Sequence, residues 1–161
     1  MLVLVAPFEA TAAPAEPPIE RMQSISLAAA QAAAQAALAE CRKKGALVAV
    51  AVTDRSGLVL SLLRDPLAGM HTPDAASRKA WTAVSFRNAT SVLERATAPG
   101  TDSAGIRQLP GVAMVAGGLP ITAAGKQLGG IGVSGAPSGT MDEACAQAGI
   151  AAIRDELELS E

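Results

Sequence analysis

The chain has no tyrosine, one tryptophan and two phenylalanines among its 161 residues. Its core must therefore be built from alanine, valine, leucine and isoleucine. Half of the residues are hydrophobic, enough to bury one sizeable core. The shortage of aromatics also removes the stacking platforms that single-stranded nucleic-acid binders use. With 13 Lys+Arg against 15 Asp+Glu there is no basic excess to grip a phosphate backbone. Long apolar runs are missing as well. The alanine-rich stretch 27–39 carries Gln31 and Gln35 and is too short and too polar to span a bilayer, so no stable membrane insertion is expected. A single histidine, and two cysteines without CxxC spacing, make a poor metal site.

The first residues, MLVLVAPFEATAAPAEPP, begin apolar and shift to Ala, Pro and Glu. Residues 1–22 read either as a disordered tail or as the remnant of a signal peptide, with small-residue cleavage patterns at Ala10-Thr11-Ala12 and Thr11-Ala12-Ala13. The export reading implies a periplasmic or secreted protein, the other a cytoplasmic one. Residues 23–161 form a single domain.

Within that domain a long alanine-rich helix is expected over 24–44, capped by Ser24 or Ser26 and stopped by Gly45. LVAVAVT at 47–53 and the return from Leu58 to Arg64 make a hairpin around Asp54-Arg55-Ser56-Gly57. A loop with Gly69, Met70 and His71 leads into a helix through Phe86, with Pro73 in its first turn. A short helix at 90–96 and a flexible PGTDSAG loop follow. Strands are expected at Val112–Ala116, Leu119–Thr122 and Gln127–Ser134. The last helix, 140–157, starts with a capping box of Thr140 and Glu143. Hairpins rather than crossovers join these strands, so the fold class is α+β with an antiparallel sheet. Cys41 lies on the apolar stripe of the first helix and Cys145 in the first turn of the last. They are either two buried thiols or a disulfide joining those helices.

Gly130-Ile131-Gly132-Val133-Ser134-Gly135 matches GxGxxG, but these glycines sit inside a strand that closes a hairpin. A dinucleotide site needs them after a parallel strand and directly before a helix, with further βαβ structure beyond. A plainer cause is close packing: Gly130 and Gly132 share one face, where an alanine-rich helix could approach. At the final helix start, Asp142 and Glu143 already complement the dipole, which favours a structural cap over an anion site.

GGLPI at 117–121 followed by GGIGVSGAPSGTMDEAC at 129–145 resembles the GlcG/HbpS family of haem-binding-related proteins, the DUF336 domain also found at the end of PduO-type proteins. VAVAVTDRSGLVLSLLRD at 48–65 and SRKAWTAVSF at 77–86 are similar to the family's first hairpin and central helix. The resemblance covers about residues 24–158. It implies a profilin-like, five-stranded antiparallel sheet with the N- and C-terminal helices packed on it, and homo-oligomers, often even-numbered. It also implies haem (tetrapyrrole) binding, in sensing, sequestration or storage. The alternative it leaves is an enzyme or accessory protein acting on a small carboxylate metabolite, as in glycolate utilisation. A third reading is a sensory interaction module with no ligand of its own.

A haem site asks for an axial ligand, an apolar slot and cations for the propionates. His71 is the default ligand to haem iron, with Met70 and Met114 behind it, and Arg78, Lys79 and Arg87 are candidate propionate partners. Many family members carry a histidine in the first helix, and residues 28–39 of this chain hold none. The carboxylate reading places its pocket between the His71 loop, Gly117, Gly118, Ser134 and Ser138. A catalytic triad from Ser134 or Ser138, His71 and Asp74 has no supporting spacing or nucleophile elbow. Asp142 and Glu143 are adjacent on a helix and diverge by about 100°. The loop Asp65–His71–Asp74 is the remaining acid/base candidate.

Overall fold

Gly132 faces a helix so closely that a Cβ on it would run into the carbonyl oxygen of Ala76. Gly130 meets the Ala80 carbonyl in the same way, at 2.8 Å. In the computed structural model, which describes residue 19 and residues 21–159, this contact fixes one face of the molecule. The expectation for residues 1–22 falls almost entirely outside the described residues.

The elements run α1 (Leu27–Lys43), β1 (Ala49–Asp54), β2 (Val59–Arg64), α2 (Thr72–Phe86), α3 (Thr90–Ala96), a 3₁₀ turn (Ala104–Gln108), β3 (Gly118–Ala123), β4 (Lys126–Ser134), α4 (Gly139–Ala151) and α5 (Arg154–Leu159). The sheet order is β2-β1-β4-β3, antiparallel throughout. Both neighbours of β1 are in place and both of its faces are covered, so AVAVT is buried at every position. Val50 and Val52 pair with Val133 and Ile131 and meet α1 and α4 in the main core. Ala51 and Thr53 pair with Gly132 and Gly130 on the opposite face, under α2. The glycines thus serve backbone approach rather than a nucleotide. Ala76 and Ala80 supply the small residues on the helix side.

The first three expected helices and the first hairpin are present. Ser26 caps α1 by accepting from the Ala29 N–H at 3.1 Å, and Gly45 follows its end at φ 74°. The Asp54 carboxylate closes the β1–β2 turn through the N–H groups of Ser56 and Leu58. The Cys41–Cys145 disulfide, one of the two alternatives for these residues, joins the last turn of α1 to α4 with Cα atoms 5.5 Å apart.

Three expectations are corrected. The sheet has four strands among the described residues, not five, because Val112–Ala116 pairs with no strand. Its backbone donors go to helix side chains instead: Ala113 N–H to Thr82 Oγ1 at 2.9 Å and Ala116 N–H to Glu94 Oε2 at 3.0 Å. The cap of α4 is Ser138, which accepts from Met141 N–H. Glu143 turns away from the helix start to take the Ser91 hydroxyl at 2.9 Å. The final helix also breaks at Ala152 and Ile153, where Ile153 turns into the core.

Candidate functional site

α2 and its two cap positions carry the four haem-site candidates His71, Arg78, Lys79 and Arg87, and the helix geometry separates them. Its inner stripe, Ala76, Ala80 and Ala83, packs on the sheet. Lys79 lies on that stripe and is only 5% exposed. Its Nζ donates to Asp142 Oδ2 and to the Val133 carbonyl, both at 2.9 Å. Asp142, 3% exposed, accepts the Ala136 N–H at 2.9 Å on its other oxygen. Lys79 is therefore not on the solvated side and is not available to a propionate. One step along the helix turns a side chain by about 100°, so Arg78 faces water while Lys79 faces the core.

The proposed pocket of Gly117, Gly118, Ser134 and Ser138 does gather, but around this ion pair. A Cβ on Gly117 would stand 2.7 Å from the Val133 oxygen, 2.8 Å from Asp142 Cβ and 2.9 Å from Lys79 Nζ. Gly118 sits against the Lys79 carbonyl and donates its N–H to Thr90 Oγ1 at 2.8 Å. Ser134 is buried, and Ser138 is occupied as the α4 cap. The glycine pairs here let the α2–α4 ion pair close.

The outer face of α2 is different. His71 occupies the cap position of the helix without a side-chain cap bond, and it is exposed. Its ring lies over Gly69, where a Cβ would come 2.8 Å from Cε1. Met70 beside it is 93% exposed and Leu67 84%. This apolar tip stands on a braced base. Arg42 Nε holds the buried Asp65 at 2.8 Å, Arg64 Nε donates to the Ala68 carbonyl at 3.2 Å, and Thr72 Oγ1 donates to the Gly69 carbonyl at 2.7 Å. Asp65 is thus buried and paired with Arg42, while Asp74 is exposed and meets Arg78 at 2.8 Å, so the three residues Asp65, His71 and Asp74 do not share one set of contacts.

Arg78 lies two turns along the helix from His71, on the same side. Beyond it, Trp81 and Ser77 wall a shallow hollow completed by Gly57, Val59 and Gly111. α2 lies over β4, β1 and β3 and only grazes β2. Val59 and Leu62, which pair with Thr53 and Ala51 on the α2 side of the sheet, are left partly exposed. The result is an open, mainly apolar hollow between Val59 of β2 and Ser77, Arg78 and Trp81 of α2, with Leu62 exposed further along β2 and His71 and Met70 at the start of the helix. Met114 is buried away from solvent. Arg87 sits at the opposite end of α2, 16 positions and about 24 Å along the helix axis from His71, too far for one porphyrin to touch both.

Among the described residues no group of three His, Cys, Asp or Glu side chains could hold a metal ion, and no helix is long and apolar enough to cross a membrane.

This architecture has close counterparts. A crystal structure of a double mutant of HbpS from Streptomyces reticuli superposes with a TM-score of 0.79 at 42% identity, covering 90% of this chain and 97% of that one. A complex of PduOC with haem gives a TM-score of 0.75 at 30% identity, over 81% and 95% of the two chains. An uncharacterised 15.0 kDa protein of the dhaT–dhaS intergenic region of Citrobacter freundii is 32% identical, over 77% of this chain and 87% of its own length. The HbpS-like family model, described as haem degrading protein HbpS-like, matches residues 25–151, and with this α+β sheet and these relatives the chain belongs to that family.

Proposed function

We propose that the protein binds haem in the groove between the outer face of α2 and the edge strand β2. The observation that carries this reading is the exposed His71 imidazole, held on a braced loop beside the exposed thioether of Met70. His71 would ligate the iron, Val59 and Leu62 would meet the porphyrin's apolar edge, and Arg78 would pair with a propionate. Arg78 is bound only to the exposed Asp74, a pair worth little in water, so exchanging partners costs little. The bound group would supply a redox-active iron for sensing, sequestration or storage. That one of the similar solved structures is a complex with haem supports the same ligand class. The exposed apolar edge supports an even-numbered homo-oligomer that covers part of it. The disulfide supports a periplasmic or secreted setting.

Trp81 is the only tryptophan and lines the groove, so it reports occupancy directly. A haemin titration is expected to shift the Soret band and quench Trp81 emission together. His71→Ala should weaken binding by about tenfold or more. Binding unchanged in His71→Ala would remove that residue as ligand, and no saturation at micromolar haemin would remove haem. Light scattering on the same samples gives the subunit number, and a monomer at every concentration would sink the oligomer.

A further inference from the structure

At the end of the sheet farthest from His71, three turns deliver three cations to one place. Arg55 comes from the β1–β2 turn, Arg87 from the C-terminus of α2, and Lys126 from the start of β4. With Thr122 and Gln127 they line a hollow that is continuous, through Arg55, Arg87 and Gln127, with a second one reaching Trp81. None of the three cations has an ion-pair partner among the described residues; Arg21, Arg64, Arg95, Arg107 and Arg154 also lack one, but Arg55, Arg87 and Lys126 share one hollow. Asp54, the acid next to Arg55 in sequence, turns its carboxylate into its own hairpin toward the Ser56 and Leu58 N–H groups. In a chain of net charge −2, this gathering of unpaired positive charge is local and distinct.

Two further features point to an occupant. Gln127 donates its Nε2–H to the Val84 carbonyl at 3.0 Å, which leaves its Oε1 shut from solvent with no donor. Arg87 holds a left-handed backbone, φ 53°, at the helix end where glycine is the low-cost residue. The helix carbonyls there are already served by Asn88 N–H to Ala83 and by Gln127 to Val84, so the guanidinium is not needed as a cap.

We propose that this cleft binds a small dianionic oxyanion, the phosphate or paired carboxylates of a small molecule. Arg55 and Arg87 would bind it in charge-assisted hydrogen bonds, with Lys126 as a third charge. The site adjoins the proposed haem groove at Gly57 and Trp81, but its three cations are not residues of that groove.

The test is an NMR amide titration of the oxidised full chain with inorganic phosphate, and in parallel with succinate, at ionic strength held constant with NaCl. Saturable shifts confined to residues around 55, 87 and 126 are expected, with the tighter of the two anions naming the ligand class. Arg87→Gly relieves the left-handed backbone, so its thermal stability should equal or exceed that of the parent while its affinity falls by about tenfold or more. Lys126→Gln should weaken binding by a smaller factor. Shifts that fail to saturate with either anion, that NaCl alone reproduces, or that survive Arg87→Gly unchanged overturn the proposal and leave the cations as a complement to the α2 dipole.

Discussion

Lys79 and Arg78 are neighbours with opposite fates. The basic pair reads as a solvated helix face when only its polarity is considered. The signal that separates the two was present: Lys79 falls in register with Ala76, Ala80 and Ala83, the stripe that meets the glycine strand. What the sequence does not show is the partner, because Asp142 lies 63 positions away and is brought in by the start of α4. Removing one member of a buried pair strands the other. Lys79→Met is expected to cost about 3–5 kcal/mol in chemical denaturation. Lys79→Met with Asp142→Asn should recover part of that loss, since the amide oxygen still accepts the Ala136 N–H. Equal stability of the single variant and the parent would show that the pair carries no net weight. The convergence of Arg55, Arg87 and Lys126 was likewise hidden, because each belongs to a different turn and nothing local links them.

Elements whose hydrogen bonds close within a few residues were legible. The Asp54–Gly57 turn, α3 and the Ser26 cap all follow from residues that bond to near neighbours. Val112–Ala116 was not, because its β-branched, apolar character suits a strand while its backbone donors end on Thr82 and Glu94. The strand β4 shows the opposite balance. Glycine weakens a strand in isolation, yet three of its nine residues are glycine. The close seat of α2 offsets that weakness. Gly132→Ala would press a methyl group into the Ala76 carbonyl, so α2 must lift or β4 must bend. The expected cost is about 3 kcal/mol by thermal melting, with a larger loss for valine. A melting temperature within a degree or so of the parent would mean that the helix has slack.

The molecule as a whole is a sheet with helices on both faces, and the two faces are secured differently. On one, α1 and α4 are joined covalently across 104 positions. In the chain-entropy account such a crosslink contributes about 4–5 kcal/mol, so reduction should lower the stability of the oxidised protein by roughly that amount. On the other face α2 is held without a covalent link, by close packing on glycine, by the Lys79–Asp142 pair and by single hydrogen bonds such as Gln127 to the Val84 carbonyl and Ala113 N–H to Thr82. The crosslink raises the cost of full unfolding without raising the cost of lifting α2. Native-state hydrogen exchange should therefore release the amides of α2 in a smaller opening than those of α1 and α4. After reduction the two groups should draw together. Identical protection in both helices before reduction would contradict this hierarchy. Since His71 begins α2 and Arg87 ends it, the least anchored layer of the molecule is the one that carries the residues exposed to a ligand. Occupancy at either end should register as slowed exchange along that single helix, while the bolted face stays unchanged.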